Sequence, residues 1–286
     1  MIKTDAEEGA VVPPLLEVSD LSVGFSRYIG LTARRYLPCL TGVSARVDRG
    51  QVLGVIGVSG AGKSLLAHAI LGILPGNAVV GGEIRFEGEI LEKARSEALR
   101  GRRIALVPQS IAHLDPLVRA ARQVRWAARR AGVSPSHAGI AAQDALARYR
   151  LPAEVADFYP HMLSGGMARR VLLAMATVAS ADLIIADEPT TGLDHTNVEM
   201  VMTCLRTLAD RGKAVMVITH DICSIAAIAD NITIIRAGET VETASAEAFC
   251  GRGEMLTTEY GRSLWCALPD NGFMLGPIVE GRMAGE

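Results

Sequence analysis

One stretch limits what this chain can fold into more than any other: VLGVI at Val52 to Ile56, followed by GVSGAGKS at Gly57 to Ser64 and SLLAHAILGIL at Ser64 to Leu74. The unbroken apolar run reads as a central, fully buried strand. The last segment repeats apolar residues at helical spacing until Pro75 and Gly76 stop it. Strand, glycine-rich loop and helix, in that order, make a phosphate-binding unit. In such a loop the backbone N–H groups of Gly57, Val58, Ser59, Gly60, Ala61, Gly62 and Leu65 converge on phosphate oxygens. Lys63 reaches the β- and γ-phosphates, and Ser64 ligates Mg2+ at the positive end of the helix. A glycine turn before an ordinary helix is the plain alternative, and the complete pattern with its flanking strand argues against it.

The remaining chain supplies the matching architecture. LEVSDLSVGF alternates as an edge strand would. Ile104 to Val107, Leu183 to Asp187 and Ala214 to Thr219 read as further strands, with helices over Gly165 to Ser180 and near Asn197 to Asp210. Strands alternating with helices favour a mostly parallel sheet. From Ile111 to about Tyr159 the chain turns Ala- and Arg-rich with helix-length periodicity, the mark of a helical lobe inserted into an α/β core. Asn231 to Glu242 reads as a terminal hairpin. At 286 residues the chain is long enough for such a two-lobed unit.

Composition excludes several classes. Hydrophobic residues make up 49% of the chain and the mean hydropathy is +0.26, which raises the question of a membrane span. The longest apolar stretch, Val171 to Ala186, is interrupted by Asp182 and falls short of the roughly 20 residues a spanning helix needs. No span and no export signal are expected. A net charge of -2 argues against nucleic-acid binding by bulk charge. Five arginines between Arg119 and Arg130 read as a solvated helix face. Cys39, Cys204, Cys223, Cys250 and Cys266 are scattered and odd in number, as expected of buried thiols in a reducing compartment. His113, His137 and His161 are too widely spaced for a compact metal site.

Acidic and polar residues at the expected strand ends complete a candidate hydrolytic centre. DLIIADEP places Asp187 to hold magnesium and Glu188 to orient or deprotonate the attacking water. Gln109 follows the strand IALV, where its amide could touch the metal shell. His220 follows VIT, pointing toward the same end. Taken singly, an acidic strand cap, a surface glutamine and a structural histidine are ordinary readings. Ser164, Gly165 and Gly166 in LSGGM could likewise be a helix N-cap and turn.

The order of these segments resembles that of ABC-transporter ATP-binding subunits, over roughly Leu16 to Glu242. The resemblance implies an α/β fold: a P-loop NTPase core with an antiparallel β subdomain and an inserted α-helical subdomain. Residues 16–250 would form the ATP-binding domain, 111–162 the helical insert and 251–286 an importer-like C-terminal extension. By that resemblance Gln109 belongs to the Q-loop, Leu163 to Met167 are the ABC motif, Asp194 in TTGLD belongs to the D-loop, and His220 is the switch histidine. Lys63, Gln109, Glu188 and His220 would be catalytic, with Ser64, Gln109 and Asp187 at the metal. Phe25 would stack on adenine, with Tyr28 and Tyr36 open as alternatives. ATP and Mg2+ are the implied ligands. Ser164 to Gly166 of one subunit would complete the ATP site of a facing one.

Within the family, LGILPG, YPHMLSGGM, IADEPTTGLD and the tail EYGRSLWCALPDNGF resemble importers of nickel chelates, dipeptides, oligopeptides and opine metallophores. The implied partners are two permease subunits, a second and nonidentical ATPase, and an extracytoplasmic solute-binding protein. The implied location is peripheral, on the cytoplasmic face of the plasma (inner) membrane, with no nucleic acid involved. Arg169 stands where the family often carries glutamine, so a contact of that glutamine is expected to be altered or lost. The alternatives are a soluble mechanochemical ATPase of DNA repair or translation, and a weakly hydrolysing regulatory subunit.

Overall fold

The computed structural model describes residues 13–29, 33–178 and 180–268. Expectations for residues 1–12 and for the tail beyond 268, and for the side chain of Tyr28, fall outside the described residues. The chain opens with β1 (Leu16–Ile29) and β2 (Ala33–Val47), followed by β3 (Val52–Ile56), α1 (Lys63–Ile70), β4 (Ala78–Phe86), β5 (Glu89–Ile90) and α2 (Lys93–Leu99). Next come β6 (Ile104–Val107), α3 (Ala120–Arg130), α4 (Ala138–Arg148), α5 (Gly165–Thr177) and β7 (Leu183–Asp187). The chain continues through α6 (His195–Asp210), β8 (Ala214–Thr219), α7 (Ile222–Ala226), β9 (Asn231–Arg236), β10 (Glu239–Ser245) and α8 (Glu259–Cys266).

The strands join in the order β5-β4-β1-β2-β10-β9-β3-β8-β7-β6. The half from β9 to β6 is parallel, and β1, β2, β4 and β5 pair antiparallel. Every residue of β3, β7 and β8 is buried, as continuous Val/Ile/Leu runs covered on both faces should be. Alternation divides those runs between two cores. Val52, Ile56, Ile184, Val215 and Val217 face the side packed by α3 to α6. Leu53, Val55, Ile185, Met216 and Ile218 face α1 and the β1–β2 hairpin. Helices α3 and α4 share the first core through Val124, Ala142 and Leu146, and both also pack on α5.

Three expectations are corrected. β1 is not an edge strand, because it is paired on one side to β2 and on the other to β4. Its alternation reports one buried face, Leu16, Val18, Leu21 and Val23, and carries no information about lateral neighbours. The register shift after Ser19, with Asp20 at φ 49°, resets that alternation. The first core helix ends at Ile70 rather than Leu74. Gly72 takes a left-handed φ of 64° and the Ile73 N–H bonds to the His68 carbonyl at 3.0 Å, which closes the helix before the proline is reached. The cysteines are not buried thiols: Cys250 is exposed and the other four are half-exposed.

The β9–β10 hairpin leads to α8, whose position is set by Glu242. That buried carboxylate accepts from the Thr257 N–H (2.6 Å) and hydroxyl (2.8 Å) and from the Thr258 N–H (3.1 Å) and hydroxyl (2.5 Å). Trp265 packs edge-on against Phe249. No helix among the described residues is long and apolar enough to cross a membrane.

Candidate nucleotide site

The site lies where three adjacent parallel strands, β3, β8 and β7, end on the same side of the sheet, so the residues after them converge although they are far apart in sequence. Gly57 follows β3. A Cβ there would sit 2.2 Å from the Ile235 carbonyl oxygen, so only glycine lets the loop turn against β9. Gly62 is the N-cap of α1 at φ 95°, a conformation that costs any other residue strain. Beyond it the amides of Lys63 and Ser64 have no intrahelical acceptor and are open to an anion, whereas the Leu65 N–H is taken up by the Gly62 carbonyl at 2.9 Å.

Lys63 is buried. Its ammonium folds back to donate to the carbonyls of Gly57 (2.7 Å) and Val58 (3.2 Å), spanning the loop it belongs to. Burial pushes its pKa down, against the opposing pull of Glu188 and Asp187. Asp187, the last residue of β7, is buried as well. Its pKa is raised, first by desolvation and also by the neighbouring Glu188 charge, while a hydrogen bond with Ser64 opposes the rise. Its Oδ1 is buried without a hydrogen-bond partner. An orphaned carboxylate oxygen beside a serine hydroxyl is the hard oxygen pair that suits Mg2+, so these residues fit the ion.

Glu188 takes a left-handed φ of 47°, and its N–H donates to the Ile218 carbonyl at 2.8 Å. The fixed turn presents its side chain to the residue after β8. His220 Nδ1 lies 2.8 Å from Glu188 Oε2, and the Thr191 hydroxyl donates to the same oxygen at 3.4 Å. Thr191 went unmarked in the sequence because a threonine in TTGLD carries no pattern that separates it from a turn residue. Gln109, beyond the end of β6, is exposed. Its carbonyl accepts from Arg169 Nη2 at 2.7 Å.

The structure therefore brings together residues 57–64 with Asp187, Glu188 and His220. It does not bring Ser164, Gly165, Gly166, Asp194 or Phe25 into hydrogen-bonded contact with them. Ser164 caps α5, its Oγ accepting from the Met167 N–H at 3.2 Å, and Ser164 and Gly165 are exposed. Asp194 caps α6 through the Asn197 N–H (3.0 Å) and side-chain amide (2.6 Å), bonds that hold its carboxyl below its ordinary range. Gly166 backs onto the same Asn197. Phe25 is half-buried against the β1–β2 core, whereas Tyr36 is 49% exposed and lays its ring over Gly24. Among the described residues no three His, Cys, Asp or Glu side chains gather as metal ligands.

Comparison with known proteins agrees with this geometry. The ABC transporter family profile matches residues 40–191. The chain is 38% identical to the probable peptide ABC transporter ATP-binding protein y4tR of Sinorhizobium fredii, over 90% of this chain and 77% of that one. It is 35% identical to the oligopeptide transport ATP-binding protein OppD of Salmonella typhimurium, over 80% of this chain and 69% of the relative. A solved dimer of the ATP-binding cassette MJ0796 in a post-hydrolysis state with ADP and Pi superposes with a TM-score of 0.70 at 25% identity, covering 81% of this chain and 98% of that one. A phosphate loop, an acidic strand end and a paired histidine in this arrangement, matched by family and fold, place the chain in the ABC transporter family as an ATP-binding ATPase subunit.

Proposed function

We propose that this subunit hydrolyses ATP to drive the import of short peptides through separate permease subunits, and that Glu188 and His220 form its hydrolytic pair. The observation that carries the assignment is the 2.8 Å contact between His220 Nδ1 and Glu188 Oε2 beside the Lys63 loop. Lys63 and the first-turn amides of α1 hold the phosphates of ATP. Ser64 and Asp187, with Gln109 as a third partner, would hold Mg2+, which would supply charge neutralisation to the phosphates. Glu188 accepts the proton of the attacking water as its oxygen bonds to the γ-phosphorus and the bond to the β-phosphate oxygen breaks, giving ADP and phosphate. His220 and Thr191 fix the carboxylate and keep its free oxygen aimed.

The site is half of a composite one. The exposed Ser164 and the amides at the start of α5 serve the nucleotide of a facing ATPase subunit, with Asp194 between the two sites, so ATP closes the pair and hydrolysis reopens it. Phe25 is the adenine platform, and residues 111–162 dock the permeases at the cytoplasmic face of the membrane. Peptide is the solute because the relatives in Sinorhizobium and Salmonella are named for peptide transport.

The test is ATP-dependent uptake by the complex reconstituted with two permeases, its partner ATPase and the solute-binding protein, using short peptides, nickel chelates and opine metallophores as separate arms. Peptide uptake that requires hydrolysis supports the reading. Uptake confined to a nickel chelate or metallophore overturns the peptide assignment, and copurification with ribosomes or repair proteins in place of permeases overturns the transport assignment.

A further inference from the structure

Arg169 and Arg170 are neighbours in the second turn of α5, and they reach in different directions. Arg170 Nη1 donates to the carbonyls of Tyr149 (3.4 Å) and Arg150 (3.2 Å), where α4 ends. Arg169 donates through Nη1 to the Pro108 carbonyl at 2.6 Å and through Nη2 to the Gln109 carbonyl at 2.7 Å. These two acceptors lie just past β6, the last strand of the sheet, and have no strand beyond them to satisfy them. The planar guanidinium gives each of the two consecutive carbonyls its own nitrogen donor. A glutamine amide offers donors on one atom and an acceptor on the other, and an ammonium is a point charge without the fork.

The arrangement is costly to bury. Arg169 is 3% exposed, its Nε has no hydrogen-bond partner, and no ion pair is formed by it among the described residues. Its one favourable charge interaction is with Asp187. A buried cation that serves packing alone is replaceable by an apolar side chain of similar size. One whose donors are spent on the backbone that carries Gln109 has a geometric task. From the sequence, a glutamine contact is expected to be altered or lost at this position; the arginine makes two contacts of its own.

We infer that Arg169 is a positioning residue that locks the Gln109 segment to α5, so that the helix carrying Ser164 to Gly166 and the loop carrying Gln109 move as one body. With Arg170 tied to the end of α4, the second turn of α5 becomes the joint through which the inserted lobe and the nucleotide site share their motion. The assignment of Gln109 and Ser164 to that site rests on the function proposed above, whereas the tie itself does not.

The experiment compares Arg169→Met, Arg169→Gln and Arg169→Lys in the full chain. Amide hydrogen exchange is followed without nucleotide, and phosphate release is measured in the assembled complex. The expected result for Arg169→Met is exchange at least tenfold faster in residues 109–114, unchanged exchange in β3, β7 and α1, and a kcat lowered about tenfold with KM for ATP within threefold. Lysine restores part of both effects, and glutamine restores less. Unchanged exchange at 109–114 overturns the tie. Exchange that rises uniformly through β7 reduces Arg169 to a general stability role, and fast local exchange with full kcat overturns its positioning role. If the methionine variant does not fold, the lysine and glutamine variants decide by the same readings. Glu188→Gln serves as the control: retained turnover there defeats the hydrolytic assignment while leaving the exchange result for Arg169 standing.

Discussion

Replacing Glu188 by glutamine separates chemistry from architecture. The side chain is 11% exposed and lies 2.8 Å from His220 Nδ1, and glutamine keeps its size and one carbonyl acceptor. The left-handed backbone at φ 47° costs glutamine about what it costs glutamate. What disappears is the basic carboxylate. Loss of a general base costs about 10²–10⁴ in rate, or about 2.7–5.4 kcal/mol in the barrier, so phosphate release by the complex should fall by that factor while ATP binding persists. Stability should change little. Asp187 has a raised folded pKa, due first to burial and in part to Glu188. An acid raised in the folded state adds stability that is present below its unfolded pKa and lost as pH rises through the folded value. Removing the Glu188 charge lessens that loss but also withdraws its pull on the buried Lys63 ammonium; the two effects oppose, so the urea midpoint at neutral pH should stay near that of the parent. Turnover within threefold of the parent would refute the role of Glu188 as base. Retained turnover with an unfolding free energy lowered by more than about 2 kcal/mol would make it a structural residue.

Three further outcomes follow from the fold. Gly57→Ala should destabilise by about 2–4 kcal/mol in urea, because its Cβ would meet the Ile235 carbonyl oxygen at 2.2 Å and a backbone oxygen in a paired strand cannot yield; a loss below about 0.5 kcal/mol would refute the steric argument. Glu87 is held down to about 2, chiefly by its hydrogen bonds to Arg103 and then by Arg49. Its stabilisation should be complete above the ordinary glutamate range and be lost as pH falls from about 4.5 toward about 2. Because the side chain is 36% exposed, solvent screening leaves about 1 kcal/mol of it, and Glu87→Gln should remove that part of the slope in acid-dependent urea titrations. Glu242→Ala should free α8 at a local cost of about 2–4 kcal/mol, read as faster amide exchange over residues 256–266 with the β7 and β8 amides unaffected; exchange that stays slow there would show that Trp265 packing alone seats the helix.

The local elements of this chain were legible from one-dimensional patterns. Leu183 to Asp187 and Ala214 to Thr219 are strands with the bounds the apolar runs suggest, since a run buried on both faces needs no partner to identify it. The loop at Gly57 to Ser64 was equally plain, because its glycines answer to backbone geometry within the segment itself. Patterns of this kind failed wherever the deciding neighbour lay elsewhere in the chain. Alternation in β1 revealed a buried face but not the two strands beside it. The meeting of His220 with Glu188, 32 positions apart, depends on β8 and β7 lying side by side. At Arg169 the sequence offered only a family glutamine contact altered or lost, whereas the fold carries the Pro108 and Gln109 carbonyls, about 60 positions away, within reach of its guanidinium. Residue chemistry and local backbone preference are written in the sequence. Which charges share a low-dielectric wall, and which carbonyls are left for a distant donor to satisfy, is decided only when the sheet order brings the strand ends together.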